Sequence, residues 1–174
     1  TCYDNRAYQI KFSSTRESAI EANFCYHTGR QAILHLDGNR PTGIVKGDRK
    51  GYPESGVWHT REIIVANNIV VGCRSGFECP EYGGTLTSID VAHNTFVNST
   101  GVAIRIASSG SHRDTVLENN LIASAVPGDN EMSQVTSPGG LLWRHNYWSR
   151  FPSDSTFNPA NDIVDPNTGL RDIN

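Results

Sequence analysis

Three residues of this 174-residue chain carry the side chains that proton transfer and charge neutralisation require: Lys11, His35 and Arg105. Each is the polar centre of a short apolar alternation, Lys11 between Ile10 and Phe12, His35 between Leu34 and Leu36, Arg105 between Ile104 and Ile106. Side chains alternate across an extended strand, so the apolar neighbours are expected inward and the three polar residues outward. Removing a proton alpha to a carboxylate needs a base, together with a cation that neutralises the charge developing on the carboxylate. His35 or Lys11 suits the first role, and Arg105 or Lys11 the second.

Residues this far apart share a face only if the chain returns to it repeatedly, and the asparagines show such a return. The segments Val65–Val71, Val91–Val97, Leu117–Ala123 and Trp143–Ser149 align on Asn68, Asn94, Asn120 and Asn146, with three equal steps of 26 residues. A fifth copy, Glu21–Cys25, places Asn23 45 residues before Asn68, which is one period plus an insertion of 19 at about Arg40 to His59. Each copy reads as an apolar strand, an Asn bend and a second strand. A further strand follows in Ala7–Phe12, Ala32–Leu36 and Val102–Ile106. Strands this short find partners only in the next repeat, which predicts a solenoid stacked at a strand spacing of about 4.8 Å. The Leu-x-x-Leu-x-Leu pattern of leucine-rich repeats is missing, and a propeller blade needs about 40 residues.

The recurring asparagines (Asn23, Asn68, Asn94, Asn120 and Asn146) are expected to be structural. Amides one repeat apart can donate and accept along the stack, and Asn tolerates a left-handed bend. The preceding row, Ala22, Asn67, His93, Asn119 and His145, is expected to pack the turn. The 16 Gly and 15 Asn fit an all-β chain with many turns. A net charge of −3 with 19% charged residues speaks against a nucleic-acid partner. No apolar run approaches the roughly 18 residues of a membrane span. The four cysteines, at 2, 25, 73 and 79, include no Cys-x-x-Cys. Cys73 and Cys79 flank the turn Arg74-Ser75-Gly76 and are the favoured pair if a bridge forms, buried thiols being the alternative.

The 26-residue step, the Asn-Asn-Ile/Leu bends and the run Gly101-Val-Ala-Ile-Arg-Ile-Ala-Ser108 resemble the right-handed parallel β-helix, pectate-lyase-like superfamily over about residues 7 to 150. The tail Asn161-Asp-Ile-Val-Asp-Pro-Asn-Thr-Gly-Leu-Arg171 is similar to the Asp-Pro segment that closes secreted β-helix domains. The resemblance implies a parallel β-helix of about five to six coils over residues 1–150, with an inserted loop at about 40–59 and an irregular closing segment at 151–174. It also implies a secreted lyase, hydrolase, epimerase or esterase of polysaccharides, or a surface or adhesion module. A solenoid that opens mid-coil at Thr1–Tyr8 is expected to meet preceding coils of a longer chain or another subunit.

In that superfamily the substrate lies along the outward face of the first strand of each coil. Aligned on the asparagines, the outward column here reads Lys11, His35, Cys79 or Pro80, Arg105, then Glu131 or Met132. The insertion, which follows His35 and Asp37, brings Lys46, Asp48, Arg49, Lys50, Tyr52, Trp58 and His59, cations for carboxylate or sulfate groups and aromatics for sugar faces. A polysaccharide lyase or epimerase acting on an acidic polymer is the leading expectation, with Lys11, His35 and Arg105 as catalytic candidates. Asp37, Lys46, Arg49, Lys50, Tyr52, Trp58 and Glu81 are the substrate-binding candidates. A glycoside hydrolase would need two facing carboxylates, for which Asp37 and Glu81 are the available pair. Calcium is the cofactor the resemblance brings in, but Asp37, Glu78, Glu81 and Glu131 form no ligand cluster in the sequence.

Overall fold

The structure is a computed structural model, and it describes residues 2–3, 10–13, 16–26, 34–37, 60–79, 86–107, 112–124, 132–136, 138–149 and 162–164. All regular structure among them is β-strand, in three sheets whose paired strands run parallel. The chain visits the sheets in a fixed rotation. Sheet I contains Ile10–Ser13, Leu34–Asp37, Phe77–Cys79, Ile104–Ile106 and Ser133–Val135. Sheet II contains Arg16–Glu21, Thr60–Ala66, Leu86–Ala92, Thr115–Glu118 and Leu141–Arg144. Sheet III contains Cys2–Tyr3, Phe24–Tyr26, Ile69–Val71, Thr95–Val97, Leu121–Ala123, Tyr147–Trp148 and Ile163–Val164. Within each sheet the spatial order of strands follows the chain order, as stacked repeats require.

The core is a set of inward rows. In sheet III Cys25, Val70, Phe96, Ile122 and Trp148 pair in sequence, and all are fully buried. In sheet II the corresponding row is Ile20, Val65, Val91, Leu117 and Trp143. In sheet I Phe77 and Ile104 pair at its centre, both fully buried. Alternation along each strand fills the interior with apolar side chains and leaves the intervening residues toward solvent.

Between sheets II and III the predicted ladder is present and runs one way. The side-chain oxygen of each asparagine accepts both the main-chain N–H and the amide of the one before. Asn23 donates to Asn68 at 3.1 Å, Asn68 to Asn94 at 3.0 and 2.9 Å, Asn94 to Asn120 at 3.0 and 3.1 Å, and Asn120 to Asn146 at 3.1 and 3.0 Å. The second amide hydrogen reaches a main-chain oxygen of the preceding repeat, as in Asn94 to Val65 at 2.7 Å and Asn120 to Val91 at 2.8 Å. Buried amides are thereby satisfied on every side, which burial demands.

The left-handed residue at this corner is the one before the ladder asparagine. Ala22, Asn67, His93, Asn119 and His145 all have φ between 54 and 56° except Asn119 at 53°. All five are exposed, so His93 and His145 turn the chain instead of packing the corner. A second left-handed row, Glu17, Glu62, Ser88, Asp114 and Gly140, kinks the approach to and path of sheet II. At Gly140, with φ of 79°, a Cβ would fall 1.8 Å from the carbonyl oxygen of His112, so glycine is required there.

Cys73 and Cys79 are not joined by a disulfide. Both are buried, Cys79 on the inward side of its strand opposite Ile106, and the Cys73 thiol donates to the carbonyl of Val71 at 3.4 Å. Among the described residues no helix is long and apolar enough to cross a membrane.

Candidate functional site

The predicted chemistry rests on sheet I, and its register puts the three catalytic candidates in one row. Lys11 pairs with His35, His35 with Glu78, Glu78 with Arg105, and Arg105 with Gln134. With adjacent strands about 4.8 Å apart, Lys11 and His35 are neighbours, and Arg105 lies two steps beyond His35. Asp37 ends its strand opposite Ser13, two residues along from the row. Lys46, Arg49, Lys50, Tyr52, Trp58 and Glu81 lie outside the described residues.

Two members of the row differ from the sequence expectation. The third is Glu78, where Cys79 or Pro80 was expected, and the fifth is Gln134, where Glu131 or Met132 was expected. The cause is a turn of variable length. From ladder asparagine to row residue the chain takes 12 residues to His35, 10 to Glu78, 11 to Arg105 and 14 to Gln134. A constant spacing therefore misplaces two positions. A slip of one residue exchanges the two faces of a strand, and Cys79 and Met132 are both buried.

Glu78 changes the electrostatics of the row. Its Oε1 accepts from Arg105 Nη1 at 2.8 Å, an ion pair whose side chains are 15% and 28% exposed, Glu78 being the more enclosed. On the other side Arg105 Nε donates to Gln134 Oε1 at 3.2 Å. The planar guanidinium is thus oriented from both neighbouring strands, and such charge-assisted contacts are the stronger kind of hydrogen bond. The only signal for Glu78 and Gln134 in the sequence is alternation, since each occupies the central position of a strand triplet, Phe77-Glu-Cys79 and Ser133-Gln-Val135.

A second polar group lies on the outward side of sheet II, away from the row. Glu118 pairs with Arg144 on the next strand, and Asp90 sits opposite Val116, two residues back from Glu118's partner Ala92. Burial raises the Asp90 carboxyl above its ordinary value, the nearby charge of Glu118 adds to the rise, and His93 and Arg144 oppose it. Among the described residues no group of three or more His, Cys, Asp or Glu side chains is placed to hold a metal ion. Those residues thus supply no ligand set for calcium.

No family model matches the chain, and neither a curated protein nor a solved structure does.

Proposed function

We propose that the chain is a right-handed parallel β-helix of the pectate-lyase-like kind, with five to six coils, and that it is a secreted protein acting on an acidic polysaccharide as a lyase or epimerase. The observation that carries this reading is the sheet I register, which aligns Lys11, His35, Glu78, Arg105 and Gln134 in one row. An extended polymer laid across the strands would meet each position in turn. In the lyase reaction His35 or Lys11 takes the proton alpha to a uronate carboxylate. The electron pair forms a carbon–carbon double bond as the bond to the leaving glycosidic oxygen breaks and that oxygen takes up a proton from water, while Arg105 or Lys11 neutralises the carboxylate. In an epimerase the same carbanion is reprotonated from the opposite face. Asp37 and the insertion residues Lys46, Arg49, Lys50, Tyr52 and Trp58, with Glu81, are proposed to grip the flanking sugars.

A second reading is favoured by the engagement of Arg105. Its charge is already balanced by Glu78, which suits a rigid, non-catalytic glycan-binding or adhesion face. The experiment that separates the two is incubation with a panel of uronate polymers, following the ultraviolet absorbance of the unsaturated product. Absorbance that rises with the native chain and is lost in Lys11→Ala or His35→Ala supports the lyase. Retardation in a polysaccharide affinity gel without any absorbance change or epimerised product supports the binding module. Unchanged turnover in Lys11→Ala, His35→Ala and Arg105→Ala alike would remove the row as the site.

A further inference from the structure

We propose that the sheet I row selects a heteropolymer in which uronates do not follow one another, and that Glu78 is the residue that selects it; this rests on the reading of the row as a saccharide-binding face. The order of charges along the row is the ground for it. Two adjacent positions, Lys11 and His35, carry cationic or protonatable residues, and the next is the carboxylate of Glu78. Arg105 follows, but its guanidinium is joined to Glu78 at 2.8 Å, so these two positions together carry no net charge. Gln134, bonded to Arg105 at 3.2 Å, ends the row with a neutral amide.

A homopolyuronate presents a carboxylate at every sugar. With its sugars in step with the strands, one of them lies over Glu78, and a carboxylate turned toward the sheet at that point meets a like charge closer than it meets the paired Arg105. A polymer with a neutral sugar at that point has no such contact, and its hydroxyls can donate to the Glu78 carboxylate and the Gln134 amide oxygen. The ligand class is therefore an alternating chain with uronate at His35 and a neutral or N-acetylated hexose at Glu78. Discrimination of this kind is built from repulsion as well as attraction.

The test is quantitative affinity electrophoresis, at one fixed low salt, with two polymers of matched length: a homopolyuronate and a strictly alternating uronate–neutral hexose polymer. The native chain is expected to bind the alternating polymer about tenfold more tightly. Glu78→Gln keeps an oxygen for Arg105 and removes the charge, and should narrow the ratio to about twofold by strengthening the homopolyuronate complex. Gln134→Glu, at an exposed position that tolerates substitution, should widen the ratio by adding a second anion. Equal or tighter binding of the homopolyuronate by the native chain would overturn the proposal, as would a ratio indifferent to both substitutions. Retardation of neither polymer would overturn the underlying saccharide reading, and the proposal with it.

Discussion

The carboxylate of Asp162 closes the asparagine ladder by accepting the main-chain N–H of Asn146 at 2.9 Å and the indole N–H of Trp148 at 2.8 Å. It stands where the repeat would place a sixth asparagine, but it accepts only, which suits the last position of a ladder whose members all donate forward. Asp162 is buried, and the strand Ile163–Val164 that follows it pairs with Tyr147–Trp148 at the end of sheet III. Replacing Asp162 by Ala strands the Asn146 and Trp148 donors and should cost about 2–4 kcal/mol by urea denaturation. Asp162→Asn restores the acceptor for Asn146 and should recover part of that loss. A neutral Asp162→Ala would show that the ladder needs no terminal acceptor.

In the middle of the ladder, Asn94 accepts two bonds from Asn68 and donates to Asn120 and to the carbonyl of Val65. Asn94→Leu removes all of these and leaves buried partners unmatched, so a loss of about 2–4 kcal/mol in the same denaturation assay is expected. An equivalent change at the half-exposed Asn23, the first rung described, should cost less, because water can reach the groups left behind.

Ala22 is the one residue without a polar side chain in the left-handed row that otherwise holds Asn67, His93, Asn119 and His145, and its φ is 54°. An alanine in that conformation is strained by about 1–2 kcal/mol, which asparagine relieves in part. Ala22→Asn should raise the melting temperature, and Asn67→Ala should lower it, both positions being exposed and free of packing loss. A lower melting temperature for Ala22→Asn, or a higher one for Asn67→Ala, would contradict the assignment of strain to the corner.

Asp90 supplies a pH dependence whose sign is fixed by its environment. Burial first, and Glu118 second, raise its folded-state pKa, so the native chain holds that proton more firmly than the unfolded one. The stabilising contribution is present below the unfolded carboxylate pKa of about 3.9 and is lost as the pH rises through the folded value. Asp90→Asn is therefore expected to melt higher than the native chain at pH 7. The gain should be modest for a charge this solvent-screened, and it should close as the pH is lowered to about 3. A lower melting temperature at pH 7, or a difference indifferent to pH, would contradict this.

How much of this was legible in the sequence depended on which turns keep a constant length. Every ladder asparagine lies two residues before an inward sheet III residue, as Asn68 before Val70 and Asn94 before Phe96, so the 26-residue step was visible and the ladder predictable. The turn from sheet III to sheet I varies, which concealed Glu78 and Gln134 and with them the pairing of Arg105. Asp162 was hidden for two reasons: it lies 16 residues beyond Asn146, and it is not an asparagine. The second left-handed row repeats at the ladder's own intervals, but its members, Glu17, Glu62, Ser88, Asp114 and Gly140, share a backbone conformation and no side-chain type. Alternation placed Lys11, His35 and Arg105 on one row because strand periodicity survives even where turn length does not.

A crystal structure of the chain with an oligosaccharide that contains uronate locates the saccharide directly. The expected complex has a sugar chain lying across the strands of sheet I, with a uronate carboxylate nearest Lys11 and His35 and a neutral sugar over Glu78. A saccharide bound on sheet II or sheet III, with the sheet I row bare, would contradict it.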